Sequence, residues 1–364
     1  MNTKYDRGII VSTIILCILG LFMVYNTTHL IDHNKPYLIN QLLATIIGII
    51  GIIIIQKIDI EIFERLYILI YILSISILIW VLLSGTGSNE WGAQSWIRFK
   101  YFGFQPSELT KLGFILFFAS YFSKYDHKIN EPLFLLLTTL LLAIPIVLIL
   151  LQPDFGTVIV YLFVFGIILL STGISKRFLA FGMSILTIAL PIIWLNLSDY
   201  QKKRIYVFLD PNYDIEGSGY QVFISKEAIK SSGFLGKGLL RDNSEVFLKV
   251  PENHNDFIFP STIESFGILG GIILILLFLF LIYKIFKYGK LQENSFQKYA
   301  LYGFSSMLFF HFFENIAMTI GAMPMTGIPL PFISYGGTFQ LSNMLLIGLC
   351  LKFIKNRKPL SYNN

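Results

Sequence analysis

The stretch PENHNDFIFPSTIESFGILGGIILILLFLFLIY, residues 251–283, joins titratable side chains to a long apolar block. Glu252, His254 and Asp256 alternate at the start of the block, and Glu264 lies within it. An apolar run of about 18 residues or more is long enough to cross a bilayer as a helix. Ionisable residues at that depth are costly, so they usually pair, cap a helix or do chemistry. The stretch therefore predicts a membrane helix with a candidate site at its beginning.

The composition of the chain is that of a membrane protein. Its 364 residues are 55% hydrophobic and only 14% charged, and the mean hydropathy is +0.68. Solid blocks of Ile, Leu and Phe favour helices over the weak alternation of a β-barrel. The first block has no small-residue cleavage site after it, so we expect a retained span. Cys17 and Cys350 lie in the first and last blocks, which argues against disulfides or thiolate metal sites.

The apolar pattern predicts an all-α polytopic membrane protein with about ten transmembrane helices. We expect the spans at residues 8–26, 38–56, 64–84, 107–123, 132–151, 155–173, 178–197, 257–283, 299–320 and 336–354. An even number puts both termini on one side. Lys and Arg crowd the segments that are inside if the N-terminus is cytoplasmic, whereas the short outer loops hold only Lys35, Arg98 and Lys100. Both termini are therefore expected in the cytoplasm, and the net charge of +6 follows topology and does not indicate nucleic acid.

Residues 1–364 are expected to form a single membrane domain. Two of its outer segments have compositions that suggest more than simple connections between spans. One is 85–107, where glycines and aromatic residues suit irregular backbone at the membrane interface. The other is the large extracytoplasmic loop 198–256 between spans 7 and 8, with a predicted amphipathic helix near 219–231. Loops this long in compact proteins are usually functional or disordered. Its apolar and aromatic content favours an ordered loop that lies against the membrane.

Charged residues also enter the apolar blocks elsewhere. Glu108 and Lys111 share one face of a helix that begins at Pro106. They are interpreted either as a structural ion pair that orients the span, or as a ligand site. In the second interpretation Lys111 faces an outward cavity and holds an anion, and Glu108 positions it. Asp154 follows Pro153 and either caps the next helix or contacts substrate.

The segment GAMPMTGIPLPFISYGG, residues 321–337, holds several prolines and glycines and cannot be regular helix. Irregular backbone at membrane depth is tolerated only where it is buried in protein or lines a cavity. The segment is predicted either to lie beside a site or to form a rigid packing corner. Ser334 and Tyr335 are candidate hydrogen-bond donors to a ligand there.

The residues alone leave several interpretations of Asp256 open. It is placed to cap the eighth span. It also shares one side of an extended chain with Glu252 and His254, which suits a metal, although no fourth ligand is in view. The third interpretation is a general base at the outer membrane surface. Glu264, within the same span, is interpreted as the acceptor of a structural hydrogen bond or as part of a binding site.

Seven motifs follow one another along nearly the whole chain: WGAQSWIRF (91–99), FQPSELTK (104–111), LQPDFGT (151–157), GSGYQ (217–221), AIKSSGFLGKG (228–238), PENHNDFIF (251–259) and ENIAMTIGAMPMTGIPLPFISYGG (314–337). Together they resemble the SEDS family of shape, elongation, division and sporulation proteins, the RodA/FtsW/SpoVE glycosyltransferases. The sequence TGIPLPF at 326–332 is most similar to the RodA branch.

The resemblance implies a peptidoglycan glycosyltransferase that polymerises lipid II at the outer face of the bacterial cytoplasmic membrane. It places the family's essential aspartate on Asp256 and its Glu/Lys pair on Glu108 and Lys111. The undecaprenyl pyrophosphate of the donor leaves without a protonating acid, so one carboxylate suffices to take the proton of the acceptor hydroxyl. Lys111, Arg98 and Arg204 are candidates to stabilise the pyrophosphate charge.

The remaining residues and partners follow from the same resemblance. Glu252 and His254 become neighbours that orient the base. No tightly bound cofactor or protein metal site is expected, although Mg or Mn can assist a pyrophosphate leaving group. The implied partners are a class B penicillin-binding protein, which is a transpeptidase, other elongation or division proteins, and membrane lipids. Two other functions stay open: a lipid II flippase, which intramembrane charge and a broken helix also suit, and a non-catalytic activator of the transpeptidase.

The chain departs from the family pattern at several positions, which puts full activity and partner choice in question while the core carboxylate and cationic pair are kept. The departures are Ile224, Asp242-Asn243-Ser244, Asn255, Ser265 and Thr338-Phe339.

Overall fold

The computed structural model describes residues 6–29, 35–87, 94–98, 103–214, 217–239 and 253–355, and most of these are helical. The helices are α1 (Arg7–Thr28), α2 (Lys35–Lys57), α3 (Ile60–Arg65), α4 (Tyr67–Ser84), α5 (Pro106–Lys124), α6 (Pro132–Leu150), α7 (Phe155–Ser171), α8 (Lys176–Asn196), α9 (Asp199–Leu209), α10 (Ser218–Ser231), α11 (Ile258–Lys290), α12 (Ser295–Thr319) and α13 (Gly337–Lys355). Two short 3₁₀ helices cover Asp126–Lys128 and Pro211–Asp214. Strands β1 (Ile97–Arg98) and β2 (Gly103–Phe104) pair in an antiparallel ribbon.

Each of the predicted spans coincides with a helix. Six of these helices, α1, α2, α4, α6, α11 and α13, are long and apolar enough in the described residues to cross a membrane. Helix α7 is apolar but has 17 residues, and α5 and α12 carry buried polar side chains. The fold class, a polytopic helical membrane protein, is thereby confirmed. Ten crossings and cytoplasmic termini stay predictions.

The bundle has a buried centre and an apolar rim. Most side chains of α5, α12 and α13 are buried. Around them α2 packs along α13, α4 along α5, α7 against α12, and α11 against both α12 and α1. The rim helices leave residues such as Ile53, Leu73 and Leu136 more than half exposed, as lipid-facing side chains should be. The central helices therefore hold charge inside protein, away from lipid.

The described part of the outer loop 198–256 is ordered and helical. Helix α9 starts with a capping box in which Ser198 and Gln201 bond each other's backbone amides. Helix α10, Ser218–Ser231, confirms the helix predicted near 219–231 and packs on α11. Residues 240–252 lie outside the described residues.

Helix α11 is broken at Gly267, and the loop after α10 fits into the break. Gly267 has a φ of 73°, in the left-handed region that favours glycine. An added Cβ there would overlap the backbone of Phe234 and Gly236. The freed backbone groups find partners in the loop: Lys237 N donates to Glu264 O at 2.8 Å, Gly238 N to Ser265 O at 3.1 Å, Ile268 N to Gly233 O at 3.1 Å and Leu269 N to Phe234 O at 3.2 Å. The outer loop and α11 are thus one backbone-bonded unit.

We expect Gly267→Ala to lower the melting temperature of the detergent-solubilised protein by several degrees. A Cβ at this position is strained by the positive φ and displaces the loop backbone, at a cost of about 1–3 kcal/mol or more. The matched control is Gly166→Ala in α7, where an added Cβ meets nothing within 4 Å. Equal melting temperatures for the two variants would contradict the proposed role of Gly267, which is to let the loop after α10 bond to the break in α11.

Candidate active site

Asp256 lies in the turn that leads into α11 and is half buried. The N-cap position of α11 is Phe257, so Asp256 stands one residue before it and the N-cap prediction for Asp256 is wrong. The turn is held from α12, because the Asn315 amide donates to the backbone oxygen of Asp256 at 2.8 Å. The backbone of Asp256 is therefore fixed by the bundle.

The segment Met325–Ile328 packs against the Asp256 carboxylate. Gly327, with a φ of 76°, comes so close that an added Cβ would lie 3.2 Å from Asp256 Oδ2 and 4.0 Å from Arg204 Nη1. The positive φ favours glycine here, and an added Cβ would crowd Asp256 Oδ2. Arg204, from α9 of the outer loop, donates to the carbonyl of Met325 at 3.1 Å. The outer loop, the irregular segment and the start of α11 thus meet at one carboxylate.

A second carboxylate lies just behind this segment. Glu314 of α12 is 0% exposed, and its Oε1 accepts a hydrogen bond from the Thr326 hydroxyl. Asp256 and Arg204 both lie within electrostatic range of Glu314. Two carboxylates and one guanidinium therefore share this corner of the protein.

Glu108 and Lys111 form a buried ion pair on α5. Lys111 Nζ is 2.8 Å from Glu108 Oε1, and each residue is 3% exposed. The same ammonium lies 3.1 Å from His311 Nε2 on α12, and Ser342 of α13 donates to the backbone oxygen of Glu108. Lys111 is thus enclosed between helices and does not face an open outward cavity. Its binding of an anionic ligand stays a prediction.

One face of α12 connects the ion pair to Asp256. His311, Glu314 and Asn315 follow helical spacing, with His311 on Lys111 and Asn315 on the Asp256 turn. An unsatisfied buried polar atom costs about 1–3 kcal/mol. A stripe that retains such atoms is more typical of a functional site than of a packing core. Within the described residues, the buried atoms of this stripe and its neighbour that lack a hydrogen-bond partner are Glu108 Oε2, His311 Nδ1, Glu314 Oε2 and Asn315 Oδ1.

His254 and Tyr335 belong to an aromatic cluster beside Asp256. The ring of His254 lies 4.9 Å from that of Tyr37 and 5.8 Å from that of Tyr335. The backbone amide of Tyr335 donates to His254 O at 2.9 Å, and its hydroxyl accepts from Asn40 at 3.3 Å. Both predicted residues are therefore adjacent to the site, and their contact with substrate stays a prediction.

Ser334 has a structural position. Its hydroxyl donates to the backbone oxygen of Asn255 at 2.7 Å and accepts from the amide of Leu330 at 2.8 Å. The side chain is 0% exposed. The hydroxyl hydrogen predicted for a ligand is therefore used within the protein, where it fixes the residue next to Asp256.

Three other predicted residues have positions of their own in the structure. Glu264 is buried and pairs with Lys237 at 3.0 Å, in support of the loop joint at Gly267. Asp154 occupies the N-cap of α7, where it accepts from the amide and hydroxyl of Thr157. Arg98 is exposed on β1.

The metal prediction is not tested. Glu252 and residues 242–244 lie outside the described residues, so the grouping of Glu252, His254 and Asp256 has no geometry here. Among the described residues, no three His, Cys, Asp or Glu side chains converge to hold a metal ion. The involvement of Mg or Mn stays a prediction.

The departures from the family pattern have partners in this chain. Ile224 packs beside Ala228 and Phe257, just below the Asp256 turn. Ser265 Oγ accepts from Asn26 at 3.0 Å, and Thr338 Oγ1 accepts from the amide of Gln105 at 3.2 Å. Phe339 packs on the ring of His311, with centroids 5.1 Å apart. These positions serve packing around the site.

Sequence reasoning did not single out five residues that build the site. They are His311, Glu314, Asn315, Thr326 and Gly327. Three of them could have been found from the sequence. A polar stripe that faces protein is predicted where an imidazole, a carboxylate and an amide occupy positions i, i+3 and i+4 of a span. The contact of Gly327 with Asp256 joins residues far apart in the chain, and no local pattern reports it.

The geometry defines the class of this protein: a polytopic helical membrane protein with a carboxylate held at the end of a span. The chain belongs to the cell cycle protein family of FtsW, RodA and SpoVE, whose family profile matches residues 7–359.

Similar proteins match over nearly their whole lengths. A probable peptidoglycan glycosyltransferase FtsW of Coxiella burnetii is 33% identical over 97% of this chain and 96% of its own. A probable peptidoglycan glycosyltransferase FtsW of Trichlorobacter lovleyi is 30% identical over 96% of this chain and 92% of its own. The SEDS resemblance is confirmed by these matches. These relatives are named FtsW, so the assignment of this chain to the RodA branch stays a prediction.

Solved structures share the fold. A chain from a structure on the coordination of polymerization and crosslinking by a peptidoglycan synthase complex superposes with a TM-score of 0.84 at 28% identity, over 99% of both chains. A mutant of the rod shape determining protein RodA from Thermus thermophilus superposes with a TM-score of 0.72 at 25% identity, over 98% of this chain and 99% of that one.

The burial of the Glu108–Lys111 pair makes a testable prediction about stability. Lys111→Ala leaves a buried unpaired carboxylate, which destabilises by about 3–5 kcal/mol. The double variant Glu108→Leu with Lys111→Met is expected to recover most of the lost melting temperature, because apolar side chains of similar size replace the pair.

The control for this pair is Arg65→Ala, which breaks the exposed Glu61–Arg65 pair of the same 2.8 Å length. It should change the melting temperature little, since exposed pairs contribute about 0–1 kcal/mol. A double variant as unstable as Lys111→Ala alone would contradict the account of the pair as a buried structural unit.

Proposed function

We propose that this protein is a peptidoglycan glycosyltransferase that polymerises lipid II into glycan strands, with Asp256 as the general base. The observation that carries the proposal is the Asp256 carboxylate, half buried at the start of α11, against the backbone of Gly327 and near Arg204. The relatives named peptidoglycan glycosyltransferases support the reaction class.

The proposed reaction uses one carboxylate. The 4-hydroxyl oxygen of the acceptor GlcNAc attacks C1 of the donor MurNAc, and Asp256 takes the hydroxyl proton. The bond from C1 to the pyrophosphate oxygen breaks, and undecaprenyl pyrophosphate leaves with the bonding electrons. Since the pyrophosphate is a good leaving group, no second carboxylate is needed to protonate it. This distinguishes the reaction from glycoside hydrolysis, which uses two carboxylates.

Arg204 is the cation best placed to stabilise the developing negative charge. Its guanidinium is anchored on Met325 O, and both Arg204 and the Asp256 carboxylate lie next to Gly327. Preorganised cations of this kind act where charge develops in the transition state. Lys111 is enclosed by Glu108 and His311, so its role toward the leaving group requires a movement between α5 and α12.

The setting of the reaction is proposed on the same basis. The site lies at the outer face of the bacterial cytoplasmic membrane, because the Lys and Arg distribution puts the loop 198–256 outside. The transpeptidase partner, a class B penicillin-binding protein, is suggested by the likeness to a chain of a peptidoglycan synthase complex. A role in cell elongation and shape rests on the TGIPLPF wording at 326–332, and a division role is the competing proposal.

The test is polymerisation of lipid II by the purified protein, with and without the transpeptidase partner. Asp256→Asn keeps the size of the side chain but removes the base, so we expect the rate to fall by about 10²- to 10⁴-fold. The matched control is Asp199→Asn, an exposed carboxylate at the start of α9 in the same outer loop. That variant should keep the parent rate.

The other two functions give different results in the same assay. A lipid II flippase moves labelled lipid II across a liposome bilayer without forming polymer. A non-catalytic activator forms no polymer from lipid II with or without the transpeptidase, and Asp256→Asn leaves its activation of crosslinking unchanged. Either result, in a preparation whose melting temperature matches the parent, would contradict the proposed function.

A further inference from the structure

Glu314 lies within the bundle and has no part in the reaction described so far. It stands on α12 in a completely buried position, and its Oε1 accepts the hydroxyl hydrogen bond of Thr326. Burial of a carboxylate is costly unless the group is paired and hydrogen-bonded. Its other oxygen, Oε2, has no hydrogen-bond partner among the residues that the structure describes. The position therefore calls for a functional explanation.

The partner of Glu314 belongs to the segment that faces the base. Met325–Ile328 is held at both ends and in its middle: Arg204 donates to Met325 O at 3.1 Å, Thr326 donates to Glu314, and Asn315 donates to Ile328 O at 2.8 Å. Gly327, the remaining residue, is the one at which an added Cβ would lie 3.2 Å from Asp256 Oδ2. The side-chain contacts of this segment thus determine where Gly327 lies.

Helix α12 holds both sides of this contact. Asn315 donates to the backbone oxygen of Asp256 as well as to that of Ile328, both at 2.8 Å. Glu314, the preceding residue, holds Thr326. One turn of α12 therefore positions the base and the backbone opposite it.

We propose that Glu314 is a positioning residue of the active site, which acts through Thr326 to fix the Gly327 backbone against Asp256. The inference rests on the proposed function, since it assigns a role relative to the Asp256 base. A displacement of about 1 Å at a reacting group can lower a rate by about 10²-fold, so a hydrogen bond next to the base has a large effect on turnover.

Two contacts hold the residues immediately before Gly327. Glu314 accepts from the Thr326 hydroxyl, and Arg204, which lies within electrostatic range of Glu314, donates to Met325 O at 3.1 Å. Loss of either contact therefore frees the backbone that leads into Gly327.

The test measures kcat and KM for lipid II polymerisation in Thr326→Val, Thr326→Ser, Glu314→Ala and the double variant Glu314→Ala with Thr326→Val. We expect Thr326→Val to lower kcat by about 10- to 100-fold, with KM changed by less than about threefold, because substrate contacts stay in place. Thr326→Ser, which keeps the hydroxyl, should recover most of the loss.

The double variant tests whether the two residues act as one unit. Because both substitutions remove the same hydrogen bond, the double variant should be no slower than Glu314→Ala alone. Thr139→Val on α6 is the control: its exposed hydroxyl bonds only its own helix, at Leu135 O, and the variant should match the parent. A parent-like kcat in Thr326→Val, or losses that multiply in the double variant, would overturn the assignment.

Two controls distinguish the loss of this positioning role from a loss of folding and from an error in assigning Asp256 as the base. Each variant is compared by melting temperature, and where Glu314→Ala does not fold, the Thr326→Val and Thr326→Ser pair gives the answer by itself. Asp256→Asn is run beside them. If Asp256→Asn polymerises normally, the proposed function fails. If it is inactive while Thr326→Val and Glu314→Ala are fully active, only the positioning role of Glu314 fails.

Discussion

The amide side chain of Asn315 donates two hydrogen bonds of 2.8 Å, one to the backbone oxygen of Asp256 and one to that of Ile328. Neither acceptor lies in a regular helix, so each carbonyl needs a hydrogen-bond partner from elsewhere in the protein. One side chain on a rigid central helix therefore ties together the two irregular segments that form the site. The close contact of Gly327 with the Asp256 carboxylate follows from this arrangement.

The arrangement of the bundle keeps these polar contacts away from lipid, which lowers the free-energy cost of burying them. Helices α5, α12 and α13 are mostly buried, so their charged and amide groups face protein, whereas the rim helices present Ile and Leu to lipid. The Glu108–Lys111–His311 contacts and the Glu314–Thr326 bond occur along one side of α12. Charge within a span is stabilised here by neighbouring helices, as it is wherever membrane proteins tolerate it.

Most of the fold could be predicted from the sequence because apolar blocks, prolines and charges are local signals. All the predicted spans correspond to helices, and the segment 321–337 is irregular between α12 and α13 as its prolines require. The position of Asp256 beside a membrane helix was equally visible. Its surroundings were not, because the approach of Asp256 and Arg204 to Gly327 depends on packing between distant segments. The outward position predicted for Lys111 failed for the same reason: His311 on another helix encloses it.

Gly327→Ala addresses this arrangement most directly, because the added methyl group meets Asp256 Oδ2 and the residue has a φ of 76°. The measurement is the rate of lipid II polymerisation by purified protein whose melting temperature shows that it is folded. We expect the rate to fall by about 10²-fold, as for a misplaced catalytic group. A folded Gly327→Ala protein that polymerises as fast as the parent would show that the base does not depend on the backbone held by α12.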